Sequence, residues 1–60
     1  MNANERMSAI KEMLASIDAY LSQHKSAMIT SVVADDGRIY VEIEEKVGAQ
    51  TNVSMFKVNL

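Results

Sequence analysis

The stretch MITSVVADDGRIYVEIEE, residues 28–45, decides the fold of this chain. On both sides of its central Asp36-Gly37 dipeptide, apolar residues, most of them β-branched, alternate with polar ones. This alternation is typical of half-buried strands, and an Asp-Gly pair between two such strands favours a tight hairpin turn. The stretch therefore predicts an antiparallel hairpin with strands at about 27–34 and 38–46.

Two turns compete for this hairpin, and they differ in which residues share a face of the sheet. A two-residue loop pairs Val32 with Val41. A three-residue loop places Gly37 in a left-handed bulge position and pairs Val33 with Ile39. We favour the three-residue loop because it separates apolar from polar side chains, and burial fixes the register of a strand. The apolar face then carries Ile29, Val33, Ile39, Val41 and Ile43, and the opposite face carries Met28, Thr30, Val32, Tyr40, Glu42 and Glu44.

Before the hairpin, apolar residues recur every three or four positions, a spacing that a helix turns onto one face. The predicted helix covers about 4–24, and its start is capped either by Asn2 with Glu5 three residues later or by Asn4 alone. The stripe consists of Met7, Ile10, Leu14, Ile17 and Leu21, with Leu14 and Ile17 at its centre facing the sheet, and Met13 and Tyr20 widen it on one flank.

After the hairpin, the segment 47–52 contains Gly48 and is predicted to be a loop. Alternation then resumes and predicts a third strand at about 53–59. The expected fold class is α+β, with one N-terminal helix packed on a three-stranded antiparallel sheet in the order α-β-β-β. Residues 1–60 form a single small domain in this prediction.

The composition limits what stabilises such a domain and what it binds. The chain has 60 residues and no cysteine, so neither disulfides nor a cysteine-based zinc site can support its small core. Its six basic residues are scattered and its net charge is −2, which disfavours direct nucleic-acid binding. No apolar run is long enough for a membrane span or a signal peptide, so we expect a cytoplasmic protein.

The sequence carries little that indicates catalysis. His24 is the only histidine, and no motif places a nucleophile and an orienting acid beside it. A hard cation needs four or more converging oxygens, and the group Glu42, Glu44 and Glu45 is better explained as a solvated face. The two glycines cannot form a phosphate-binding loop. We therefore expect no enzyme activity, no cofactor and no metal.

One helix covers only one side of a three-stranded sheet, which leaves the other sheet face and a helix flank available to a partner. Met and Tyr are enriched at interfaces, and a chain this small is marginally stable alone. We expect a protein partner, a second copy in a homodimer, or both, and neither direct nucleic-acid binding nor a membrane. The candidate partner-binding residues are Tyr40, Glu42, Glu44, Met55, Met28 and Val32 on the sheet and Met13 and Tyr20 on the helix flank.

Three segments together resemble a known family. The stretch ITSVVADDG at 29–37, then Val-Glu-Ile at 41–43 and Phe-Lys-Val at 56–58, resembles the gas vesicle protein O family over about half of the chain. In that family a helix precedes a valine-rich strand, an Asp-Asp-Gly turn and two further strands. Arg38 stands where the family prefers tryptophan, and the proline of its second loop is absent. The resemblance implies a non-enzymatic accessory protein that binds other proteins, and it assigns no functional residue.

The sequence thus predicts a small non-enzymatic protein–protein interaction module, expected to be homodimeric, that acts as an accessory or regulatory binding protein. The alternative is a phage-type inhibitor, such as an anti-CRISPR or host-takeover protein, that blocks a nucleic-acid-handling enzyme through an acidic and apolar surface. A third hypothesis, a minimal enzyme that uses the three glutamates, lacks an acid–base constellation.

Overall fold

The fold has two layers, a helix and a three-stranded antiparallel sheet, as the sequence predicts. The computed structural model describes residues 2–60. The strands are hydrogen-bonded in the order β1-β2-β3, and the chain order is α-β-β-β, so the predicted α+β class is confirmed. The elements are α1 (Ala3–Gln23), β1 (Met28–Asp35), β2 (Arg38–Val47) and β3 (Gln50–Asn59).

The helix begins with a capping box. The side chain of Asn2 accepts a hydrogen bond from the backbone N–H of Glu5 at 2.9 Å, and the Glu5 carboxylate accepts one from the Asn2 N–H at 3.4 Å. These bonds satisfy two N–H groups that have no partner within the helix. At the other end, the His24 N–H donates to the Tyr20 carbonyl at 3.0 Å. The predicted Asn2–Glu5 cap is confirmed.

The helix is rotated relative to the prediction. Met13 and Ile17 are its buried residues, with 9% and 5% of their surface exposed, whereas Leu14 is 55% exposed. The expectation that Leu14 faces the sheet is therefore wrong, and so is the placement of Met13 on an exposed flank. The apolar arc of this helix is wide, and the sheet packs against the edge formed by Met13, Ile17 and Tyr20 rather than against its middle.

The first hairpin closes with a two-residue turn. Asp35 pairs with Arg38, and the central residues Asp36 and Gly37 have φ angles of 47° and 72°. Two consecutive left-handed residues are the pattern of a type I′ turn, whose twist matches that of the flanking strands. The predicted three-residue loop is therefore wrong.

A β-bulge near Thr30 shifts the register close to the start of β1. Val32 pairs with Val41, as the two-residue loop requires, but Ile29 pairs with Ile43, as in the other register. The Thr30 hydroxyl lies 3.3 Å from the carbonyl oxygen and 3.1 Å from the carboxylate of Glu42, which holds the extra residue in place.

This register corrects the predicted faces of β1. Because paired residues share a face, Val32 lies on the side of the helix together with Val41. Val33 pairs with Tyr40 on the opposite side. The sequence predicts Val33 on the side of the helix and Val32 on the opposite side, so both placements are wrong.

The second hairpin is also tighter than predicted. Val47 pairs with Gln50 across the two-residue turn Gly48-Ala49, so β3 begins three residues before the predicted start at 53. Positive φ at Gly48 alone, 62°, matches a type II′ turn, which needs glycine at its first central position. The predicted loop over 47–52 is therefore wrong.

The core lies between the helix and the central strand. Val41 and Ile43 of β2 are 4% and 1% exposed and pack with Met13 and Ile17. Side chains that are partly buried against this cluster come from the helix, the helix–sheet loop, β2 and β3, and none comes from β1: they are Tyr20, Leu21, Ala27, Ile39, Phe56 and Val58. The helix therefore covers β2 and β3 and leaves β1 uncovered.

Gly37→Val should destabilise the fold by about 1–3 kcal/mol, because a β-branched residue is strained at a φ of 72°. Its Cβ would also lie 3.4 Å from the Leu60 carbonyl oxygen. Gly37→Asn should cost less than about 1 kcal/mol, because asparagine visits the left-handed region more easily. Urea denaturation followed by circular dichroism measures both variants, and equal losses would contradict the type I′ turn.

Candidate interaction surfaces

The sheet face away from the helix, here called the open face, is built from three cross-strand rows. Its central residues are Tyr40, Glu42 and Glu44, which alternate along β2 with the buried residues of the core. Each has a neighbour on both outer strands. The rows are Met28, Glu44 and Val53; Ser31, Glu42 and Met55; and Val33, Tyr40 and Lys57.

On the open face, apolar side chains of β1 and β3 lie on both sides of the charged side chains of β2. Met28, Val53 and Met55 are 63%, 56% and 60% exposed, whereas Glu42 and Glu44 are half-buried between them. Lys46 and Lys57 share this face, because they alternate with core residues and pair with open-face neighbours. Asp35 and Arg38, paired beside the first turn, also point to this face, so three carboxylates and three cationic groups lie on it and it carries no net charge. Five of the predicted partner-binding residues meet here: Tyr40, Glu42, Glu44, Met28 and Met55.

A second exposed apolar surface lies on the helix side of β1. Ile29 is 48% exposed although its partner Ile43 is buried, and Val32 is 64% exposed although its partner Val41 is buried. In both pairs the helix covers the residue on β2 and leaves its neighbour on β1 exposed. Val32 is thus exposed as predicted, but on the helix side of the sheet.

The helix supplies the other wall of this surface. One of its flanks, with Ala9, Glu12 and Ser16, borders a cleft over Phe56 and Val58 of β3. Since β1 lies at the opposite edge of the sheet, the other flank of the helix points towards β1. That flank carries Met7 and Leu14, which are 54% and 55% exposed. We call the surface formed by Met7, Leu14, Ile29 and Val32 the β1 trough.

Sequence reasoning missed the trough because it placed Met7, Leu14 and Ile29 in the core. A helix is about 10–12 Å in diameter, and three strands about 4.8 Å apart are about 14 Å wide, so one helix does not cover the whole helix side of the sheet. The width of the apolar arc on the helix could have indicated the trough, because the arc is wider than the part of a helix that one sheet buries.

Two predicted partner-binding residues, Met13 and Tyr20, make contacts within the domain: Met13 is buried and Tyr20 is partly buried. Met13 belongs to the buried core. The Tyr20 ring stacks on His24, with ring centres 4.1 Å apart, and meets the edge of Phe56 at 5.7 Å. Its hydroxyl lies 3.1 Å from the Ser54 hydroxyl. These contacts of Tyr20 fix the end of the helix on the sheet.

A polar cluster fastens the loop after the helix to β2. His24 Nδ1 lies 3.0 Å from one carboxylate oxygen of Glu45, and the Ser26 hydroxyl donates to the other oxygen at 3.0 Å. Ser26 and His24 each bind the carboxylate rather than each other, so the imidazole is not hydrogen-bonded to the serine hydroxyl as in a serine–histidine pair. Glu45 points to the helix side while Glu42 and Glu44 point to the open face, which divides the three glutamates. Within residues 2–60, His, Asp and Glu side chains form no group of three that could hold a metal ion.

No known family model, curated protein or solved structure matches this chain. Across residues 2–60, no helix is both long and apolar enough to cross a bilayer. The open face and the β1 trough are therefore interpreted from their own geometry.

Proposed function

We propose that this chain is a small non-enzymatic protein-binding module that works as a homodimer in the cytoplasm and has an accessory or regulatory role. The observation that carries the proposal is that more large hydrophobic side chains are exposed than are buried. Among the described residues, four hydrophobic side chains are buried, whereas nine large ones are about half exposed or more. Exposed apolar area of this extent is typical of surfaces that bind another protein.

The shape of the chain supports the same interpretation. A compact protein of 6.6 kDa exposes about 3,900 Å², whereas this chain exposes 4515 Å². Its radius of gyration is 12.9 Å, against about 10.4 Å for a compact domain of 60 residues. The excess of about 600 Å² approaches the roughly 800 Å² that each partner buries in a standard protein interface.

The open face supports a polypeptide as the additional partner. Met28, Val53 and Met55 offer apolar anchors, and charges of both signs lie beside them, as is common at protein interfaces. The alternative, an inhibitor that imitates phosphates with carboxylates, fits this face less well. Lys46 and Lys57 balance its two glutamates, and a phosphate mimic needs uncompensated negative charge.

Sedimentation equilibrium over about 1 µM to 1 mM tests the dimer, because dissociation constants in this range give mixtures of monomer and dimer. We expect the mean mass to rise from one chain to two, and the urea midpoint to rise with protein concentration by mass action. Constant monomer mass together with a concentration-independent midpoint would overturn the homodimer.

Partner binding is tested by affinity capture with wild type, Met55→Ala and, as a control on the helix side of the sheet, Val58→Ala. We expect Met55→Ala to reduce a captured protein about tenfold, equivalent to about 1.4 kcal/mol, while Val58→Ala that is still folded retains it. Equal capture by all three proteins would exclude the open face as the binding surface.

A further inference from the structure

We infer that the second copy docks edge to edge on β1, so that two sheets join into one six-stranded sheet and the two β1 troughs merge. This inference rests on the proposed homodimer and identifies the surface that forms it. The open face of each copy then stays accessible for a different protein.

Apart from the bulge near Thr30, the edge of β1 has none of the features that protect sheet edges. Seven of its eight residues are exposed, and between Met28 and Ala34 it contains no charge, no proline and no glycine. Proteins commonly block such edges with lysine, proline or a covering element. The outer strand at the other edge, β3, carries Lys57 and lies under the helix. The β-bulge on β1 is confined to the start of the strand, which leaves Ser31–Asp35 regular.

Symmetry determines how two β1 strands can pair. Two antiparallel β1 strands in one joined sheet are related by a two-fold axis perpendicular to the sheet. Directly opposed residues point to the same face, so one residue of β1 must lie opposite its own copy at this axis. An axis at Val32 pairs Ser31 of one copy with Val33 of the other inside the regular part of the strand, and it places the two exposed, uncharged Val32 side chains opposite each other on the trough side. No like charges meet in this arrangement.

The same symmetry puts both helices on one side of the joined sheet. Leu14 of each copy then lies on the side of its helix that faces the merged trough, at the level of the paired Val32 residues, and Met7 lies nearer the first hairpin turn. The outer side of each helix, with Lys11, Asp18 and Ser22, stays in water. A stacked dimer, in which the helix of one copy fills the trough of the other, would bury these polar side chains against apolar strands. The edge-to-edge dimer avoids that cost.

The excess exposed area of the isolated chain is comparable to the area that each copy buries in a stable dimer. The isolated chain exposes about 600 Å² more than a compact protein of its mass, and a stable dimer buries about 800 Å² from each copy. The β1 edge is continuous with the exposed side chains of Ile29 and Val32, so the partner's β1 strand contacts both the edge and the floor of the trough.

Disulfide trapping of the full chain tests the inference, because the wild type has no cysteine. Opposed residues of an antiparallel pair have Cα atoms about 4.5–5.5 Å apart, within the range of a disulfide. Val32→Cys should form covalent dimer in oxidised glutathione at least about tenfold faster than Met55→Cys. The two positions are matched, because Val32 is 64% and Met55 is 60% exposed. Equal rates, or a faster rate for Met55→Cys, would overturn the β1 interface.

Charge insertion provides a second measurement. Val32→Asp should raise the dimer dissociation constant at least about tenfold in sedimentation equilibrium, because it places two carboxylates opposite each other, whereas Met55→Asp should leave the constant within about twofold. If the wild type is a dimer and Val32→Asp dimerises equally well, the β1 interface is wrong and the homodimer stands. A wild type that remains monomeric overturns both proposals.

Discussion

Ile43→Ala should remove about half of the free energy of unfolding of this chain. Ile43 is 1% exposed, and among the described residues it is the largest fully buried side chain. It packs with Val41, Met13 and Ile17 in a core without any other buried hydrophobic side chain in residues 2–60. Truncating a buried isoleucine costs about 2–5 kcal/mol, because apolar area is lost and a cavity remains. A domain of 60 residues has a total stability of only about 3–9 kcal/mol.

The measurement is a urea titration followed by far-ultraviolet circular dichroism, which reports both the helix and the sheet. Val53→Ala is the control, since Val53 lies on the open face of β3 and is 56% exposed. We expect the control to change the free energy of unfolding by less than about 1 kcal/mol. If the two variants had the same urea midpoint, the four-residue core between helix and β2 would be wrong.

The sequence predicts the elements of this fold because each is specified by local signals. Asn2 and Glu5 mark the start of the helix, the three- and four-residue spacing marks its length, and Asp36-Gly37 marks the first turn. The order of the strands follows from the short connections between them, since antiparallel neighbours need only a tight turn.

The register of β1 could not be predicted, because it depends on a contact between strands. Both candidate registers contain pairs that occur in the structure: Val32 with Val41 from one, and Ile29 with Ile43 from the other. The bulge at Thr30 joins them, and its hydroxyl is held by Glu42 on the next strand. An alternation pattern assumes one register for a whole strand, so it cannot locate an inserted residue.

The β1 trough escaped prediction for a related reason. The apolar stripe shows that the helix packs on a sheet, but it does not show which strand stays uncovered. Side-chain contacts decide this, since Tyr20 bonds to Ser54 on β3 and stacks on His24. These contacts draw the helix towards β3 and expose Leu14. The open face was easier to predict, because Glu42, Tyr40 and Met55 lie on a strand face whose polarity is visible from alternation alone.

Substitution of the two tyrosines of the chain should destabilise it to very different degrees. Tyr20→Ala should cost about 3–5 kcal/mol, because it removes a ring that stacks on His24 and meets the edge of Phe56. Tyr40→Ala, on the open face, should cost about 1 kcal/mol and leave a folded chain.

Tyr20→Phe separates the hydroxyl from the ring. It keeps the aromatic contacts and loses only the hydrogen bond to Ser54, so we expect a loss of about 0.5–1.5 kcal/mol. Thermal denaturation of the three variants beside wild type gives the order of stability. One kcal/mol corresponds to a shift of about 4–8 °C in a domain of this size, so the differences are measurable. A Tyr20→Ala protein as stable as Tyr40→Ala would mean that Tyr20 is exposed in solution, and would restore it as a candidate for partner binding on the helix flank.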